Sequence, residues 1–218
     1  MNKNIIVKIA NGFGNQMFLY ATAYAFAKKL GYKLLIDNET GIIHDAKKRQ
    51  KRKKRNWIPK YELDIFNLKS EIAGKKYKFL NNFSHIKRKF LKFIDKYSNK
   101  KSFLVEKLDK DKKTFFSNSY LKQKYNNTVF FEGYFESENY FKDYRSEILN
   151  EFKLKKIPRT FDSYLELINK NISISISVRR DRFSERLSDQ YNTEKISKSE
   201  SFEKETYNYI FNAVKFFE

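Results

Sequence analysis

Two groups of residues have the types and spacing to do chemistry. The first is Gly12-Phe13-Gly14-Asn15-Gln16, placed between a β-branched run and a long apolar segment. A helix that begins there has first-turn amides without intrahelical partners. They carry partial positive charge and can hold a phosphate, and glycine lets a ligand approach the backbone closely. A dinucleotide fingerprint needs a third glycine where Met17 stands, and no Gly-Lys-Ser/Thr follows, so neither that fingerprint nor a P-loop is present. The competing reading is a plain strand–helix turn whose glycines supply positive φ.

The second group is Arg179-Arg180-Asp181, which ends the run ISISISV at 172–178. Ligands of open α/β sheets collect beyond the carboxyl ends of strands. In a strand, Ser173, Ser175, Ser177 and Arg179 share one face, while Ile174, Ile176, Val178 and Arg180 share the other. Arg179 then extends the small polar face, where a guanidinium can grip a diphosphate through paired charge-assisted hydrogen bonds. The competing reading is a solvated pair at a strand end.

Composition narrows the chemistry further. The absence of cysteine excludes disulfides, thiolate catalysis and thiolate-bound zinc. The two histidines, His44 and His85, have no motif around them and read as ordinary surface residues, and Asp109 and Asp111 sit in a lysine-rich stretch without the context of a metal site. No metal is expected. The net charge of +20 includes the run KKRQKRKKR at 47–55, a solvated loop by composition, and it draws the chain toward polyanions without choosing among them. No apolar stretch is long enough for a membrane span, and polar residues interrupt any signal-like core near the start, so the sequence reads as cytoplasmic.

The elements that position these residues follow from pattern. IIVKIA (5–10) reads as a strand, 15–30 as a helix closed by Gly31, and KLLID (33–37) as a second strand; together they form a βαβ unit and imply a parallel sheet. Residues 41–58 read as an irregular basic insertion, YELDIF (61–66) as a short element, 84–97 as a basic amphipathic helix, and 98–127 as polar and loop-like. TVFFEGYF (128–135) reads as a strand ending at Gly133, and 137–152 as one helix capped by Ser137. Thr160 caps a helix reaching Ile168, 172–178 is a strand, 181–201 is mostly loop, and 199–218 is helical. The resulting fold class is α/β, with residues 1–152 as a Rossmann-like domain and 153–218 as part of a second.

GFGNQMFLYA (12–21), YELDIFN (61–67) and EGYFESENYF (132–141) together resemble three blocks of glycosyltransferase family 11, the α-1,2-fucosyltransferases. The resemblance covers about residues 3–183 and is weakest across 70–125. It implies a GT-B-like architecture of two Rossmann-type halves and inverting, metal-independent transfer of fucose from GDP-fucose to the 2-hydroxyl of a galactose in a glycan. The family's His-x-Arg-Arg-Gly-Asp-Tyr signature is similar to Ser177-Val178-Arg179-Arg180-Asp181-Arg182-Phe183, with both arginines kept, the histidine replaced and the Gly-Asp order disturbed. By that likeness Gly12, Phe13, Gly14, Asn15, Gln16, Arg179, Arg180 and Asp181 bind the nucleotide sugar, and Arg179 and Asn15 carry the chemistry. Against the family, the second half looks incomplete.

Two alternatives remain open at the level of sequence. One is an inactive relative that binds nucleotide or glycan without transfer; the other is a polyanion binder built on 47–55. No stacking-aromatic motif of an RNA-binding fold is present, so nucleic acid is not the expected partner. A peripheral contact with anionic membrane is compatible with the basic surface.

Overall fold

The computed structural model describes residues 3–51, 58–107, 116–174, 176, 178, 180–184, 189 and 191–217. The chain divides into two compact units, Met1–Lys47 with Ile58–Lys156, and Lys48–Trp57 with Ile157–Glu218.

The first unit is an α/β layer built on five parallel strands: β1 (Asn4–Lys8), β2 (Lys33–Asp37), β3 (Glu71–Ile72), β4 (Lys101–Val105) and β5 (Tyr125–Glu132). Their order is β3-β2-β1-β5-β4, and every neighbouring pair is parallel. The chain builds outward from β1 through β2 to β3, crosses to the far edge at β4, and returns to place β5 beside β1. β1 and β5 are thus neighbours at the middle of the sheet although almost the whole unit separates them in sequence. The parallel sheet flanked by helices is compatible with a Rossmann-like fold.

β1 is the central strand and is buried on both faces, which its apolar, β-branched sequence NIIVK allows. Ile5 and Val7 face helix α1 (Phe13–Leu30), together with Leu34, Ile36, Leu104, Val129 and Phe131. Ile6, Leu35 and Ala73 form a smaller cluster on the opposite face, with Tyr77 and Phe130 against it. Phe26 of α1 is the hub of the larger core, its ring lying 5.6–6.5 Å from those of Tyr120, Phe131, Phe135 and Tyr140. Helix α1 ends at Gly31, whose φ of 69° is the left-handed conformation that lets its amide turn back to Lys28.

Several elements differ from the expectation. Residues Thr40–Lys51 form helix α2 instead of an irregular insertion, because Asp37 Oδ1 accepts the amides of Glu39 and Thr40 and no Gly or Pro interrupts 42–57. Within the polar stretch 98–127, KSFLV forms β4 by pairing with β5, a long-range gain that its short sequence does not announce. The 137–152 segment is not one helix: two 3-10 turns, Glu138–Tyr140 and Lys142–Tyr144, precede helix α4 (Arg145–Glu151), and Ser137 makes no capping bond. The break falls at Phe141, which leaves helical geometry as Tyr140 is drawn into the aromatic core. Helix α3 (Asn82–Tyr97) is as expected and starts with a reciprocal Asn81–Ser84 capping box.

In the second unit, helix α5 (Asp162–Lys170) follows a 3-10 turn containing Thr160, which therefore does not cap it. Residues 172–174, 176 and 178 form no strand, and Ile172 and Ile174 are largely exposed. The final helix, α6 (Thr193–Phe217), begins inside the stretch read as loop.

Candidate functional site

The Gly12–Gln16 turn caps the carboxyl end of β1. Gly12 is the N-cap of α1 with φ −79° and offers no side chain to the helix start. Gln16 N to Gly12 O (3.0 Å) is the first intrahelical bond, so the amides of Phe13, Gly14 and Asn15 precede the hydrogen-bonded ladder. The residue with positive φ in this turn is Asn11 (66°), and neither glycine has it. A Cβ added at Gly12 or Gly14 would meet nothing within 4 Å. The glycines of this turn therefore do not supply positive φ. Neither conformation nor packing inside the chain calls for them, and their effect is to leave the first-turn backbone uncovered.

The other residues of the turn divide between scaffold and opening. Gln16 is fully buried; its Nε2 donates to Asn11 O (3.0 Å) and Lys60 O (2.8 Å), and its Oε1 accepts the Glu62 amide (2.9 Å). It ties the turn to the 60–62 segment instead of offering its amide to a ligand. Phe13 is half-exposed and stacks on Phe66, with ring centroids 5.7 Å apart. Asn15 is half-buried, and its side chain has no partner among the described residues. The Asn11 amide is taken by Asp45 Oδ2 (2.7 Å) from α2. Helix α2 can come this close because Gly41 has no side chain: a Cβ there would lie 2.1 Å from Ile9 O.

At the carboxyl ends of β1 and β5 lies a charge cluster that the sequence did not disclose. Glu132, the last residue of β5, accepts Arg88 through Nε (2.9 Å to Oε1) and Nη2 (to Oε2). Lys92 Nζ lies 2.7 Å and Lys8 Nζ 3.3 Å from its Oε2. Burial alone would raise the Glu132 carboxyl, but Lys8, Arg88 and Lys92 override it and hold it at about 2. Lys8 shows the imbalance from the other side. Burial depresses its ammonium, and although Glu132 pulls it upward, Arg88 and Lys92 add to the depression. Three cations share one carboxylate, so the cluster keeps a positive excess that an anion would relieve.

His44 of α2 and His85 of α3 form a ring pair, and His85 lies within the field of these cations. Contrary to the surface reading, they are half-buried and pair ring to ring, with centroids 5.6 Å apart. Burial lowers the His85 imidazole, and Arg88, Lys47, Lys8 and Lys89 lower it further. A signal for the cluster existed in sequence: Lys8 and Glu132 end apolar strands, where a charge needs an opposite partner. The identity of the partners was not legible, because they meet only through the sheet order.

On the other side of β5, Glu106 accepts the amides of Tyr134 (2.6 Å) and Phe135 (2.8 Å) through Oε2 and fixes the turn that follows the strand. A side chain at Gly133 would collide with it, at 2.5 Å from Glu106 Cβ.

Among the second group, Arg179 lies outside the described residues, as do Ser175, Ser177, Asp109 and Asp111. Arg180 is exposed and lies 3.4 Å from Glu203 of α6. Asp181 is exposed, and its carbonyl accepts the Ser184 amide (3.1 Å). Among the described residues no three or more His, Asp or Glu side chains are grouped to hold a metal ion, and no helix is long and apolar enough to cross a membrane. No family model, curated protein or solved structure matches the chain.

Proposed function

We propose that this chain is a fucosyltransferase-type glycosyltransferase that takes GDP-fucose as donor and the 2-hydroxyl of a glycan galactose as acceptor. The observation that carries this reading is the uncovered first turn of α1. Two glycines that the fold does not require expose its amides at the carboxyl edge of the sheet, the edge at which Lys8, Arg88 and Lys92 gather on the single carboxylate of Glu132. That combination suits a diphosphate. The three sequence blocks that resemble the family, among them the GFGNQMFLYA turn, supply the sugar and the acceptor.

In this reading negative charge builds on the departing GDP as the fucosyl carbon approaches an oxocarbenium-like state. The amides of Phe13 to Asn15 and the Asn15 side chain meet that charge, and Arg179, helped by Arg180, neutralises it. Electrostatic stabilisation of a leaving group is often the largest catalytic contribution. The GT-B pairing of two Rossmann-type halves belongs to the same proposal.

Calorimetric titration of GDP and GDP-fucose, followed by a transfer and hydrolysis assay, tests the reading. GDP binding with turnover that Arg179→Ala abolishes supports it; failure to bind either nucleotide removes it. A second reading, nucleotide binding without transfer, is favoured by the bare Ile172 and Ile174 and the absence of a strand among the described residues of 172–178. Binding without turnover selects it.

A further inference from the structure

Helix α3 is amphipathic in an inverted sense. Its polar side faces the sheet: Arg88 and Lys92 bind Glu132, and Asp95, its only acidic residue, is buried and accepts the Ser102 and Phe103 amides. Its apolar side faces outward. Phe83, Ile86, Phe90, Phe93, Ile94 and Tyr97 are between 48 and 78% exposed. At 3.6 residues per turn these six fall on one arc of roughly 100°. Lys87 borders that arc on one side and Lys89 and Lys96 on the other, all three exposed.

A soluble surface rarely leaves such a stripe bare without an occupant. We propose that the outer face of α3 is a docking surface for anionic phospholipid bilayers, with the helix lying in the plane of the interface. Charge selects this occupant. The stripe carries aromatic and aliphatic side chains flanked only by lysines, the pattern of interfacial helices whose ammonium groups reach the headgroups while the rings enter the acyl boundary. A second copy of this chain would bring Lys87, Lys89 and Lys96 against their equivalents on a molecule of net charge +20, which disfavours self-association through this face. With 16 residues the helix is too short to span a bilayer. The inference is independent of the donor chemistry, because the stripe lies on the side of α3 opposite Arg88 and Lys92.

Co-sedimentation of the full chain with phosphatidylcholine vesicles, with and without phosphatidylglycerol, tests it. Binding is expected to be about tenfold or more stronger to the anionic vesicles and to weaken with salt. The double substitution Phe90→Ser, Phe93→Ser should cut partitioning by about tenfold or more while leaving the circular dichroism and thermal melt unchanged, since both rings are exposed. Lys87→Gln with Lys89→Gln and Lys96→Gln should remove the preference for phosphatidylglycerol. No vesicle binding, or binding that the Phe pair leaves intact, overturns the proposal. So does a dimer in solution that the Phe pair dissolves, since the stripe would then serve a protein interface.

Discussion

Lys8 Nζ stands 3.3 Å from Glu132 Oε2, joining the ends of two parallel neighbouring strands that lie far apart in sequence. Arg88 and Lys92 of α3 close on the same carboxylate. A buried ion cluster of this kind is weak support for stability as a whole, but removing Glu132, the one carboxylate among the described residues that these cations share, leaves three cations facing one another. Glu132→Gln is therefore expected to cost about 3 kcal/mol or more at neutral pH. The pH dependence has a definite sign. The carboxyl is held at about 2 against an ordinary 4.5, so its contribution is complete above pH 4.5 and is lost as pH falls toward 2. Urea denaturation of both proteins across that window should show the gap between them closing; a gap that does not change with pH contradicts the assignment.

Gly14 offers a cleaner separation of folding from binding. Its backbone is helical and the space a Cβ would occupy is open, so Gly14→Ala is expected to stabilise the chain by up to about 1 kcal/mol through the unfolded state. The same methyl covers first-turn amides. Calorimetry should therefore record weaker GDP binding in a protein that melts at a higher temperature. Unchanged GDP affinity would detach this turn from the diphosphate.

His85 reports on the charge of the site without any assay of turnover. Burial and the nearby Arg88, Lys47, Lys8 and Lys89 place its titration below the ordinary 6.5. An anion bound among those cations offsets them and moves the titration upward. Proton NMR of the histidine ring resonances should show that upward shift on addition of GDP or inorganic phosphate. A titration indifferent to either would mean that no anion settles near α3.

The legible part of this fold was the part specified locally. β1, α1, β2 and the parallel sheet follow from an apolar β-branched run, a glycine turn, a helical stretch free of Gly and Pro until Gly31, and a second short apolar run. What escaped depends on contacts distant in sequence. KSFLV becomes β4 only against β5, Tyr140 leaves the helical path because the Phe26 cluster draws it in, and Lys8, Arg88, Lys92 and Glu132 converge through strand order. Helix α2 was obscured for a different reason: its lysines and arginines suggest a solvated loop, although they are good helix formers once Asp37 caps the start. The Gly12–Gln16 turn was legible as the link between β1 and α1, but the division of labour within it was not visible, since only the folded chain shows Gln16 buried and Gly14 open.

Gly41 makes the opposite prediction to Gly14, and the pair tests whether α2 serves the site. A Cβ at Gly41 would lie 2.1 Å from Ile9 O and 2.9 Å from Ala10 Cβ. The first of these is backbone, so no side-chain rotation relieves it, and the first turn of α2 must move away from the end of β1. Overpacking of this kind costs about 1–3 kcal/mol. The displacement also reaches Asp45, one turn along α2, whose carboxylate holds the Asn11 amide at 2.7 Å; Asn11 depends on that contact to keep its left-handed conformation ahead of Gly12. Gly41→Ala should thus lower the melting temperature and weaken GDP binding together. Asp45→Asn, which keeps an acceptor for the Asn11 amide but removes a negative charge beside the turn, should retain stability and strengthen GDP binding. If Gly41→Ala binds GDP as well as the unmodified chain at a temperature where both are folded, α2 does not help to shape the diphosphate site.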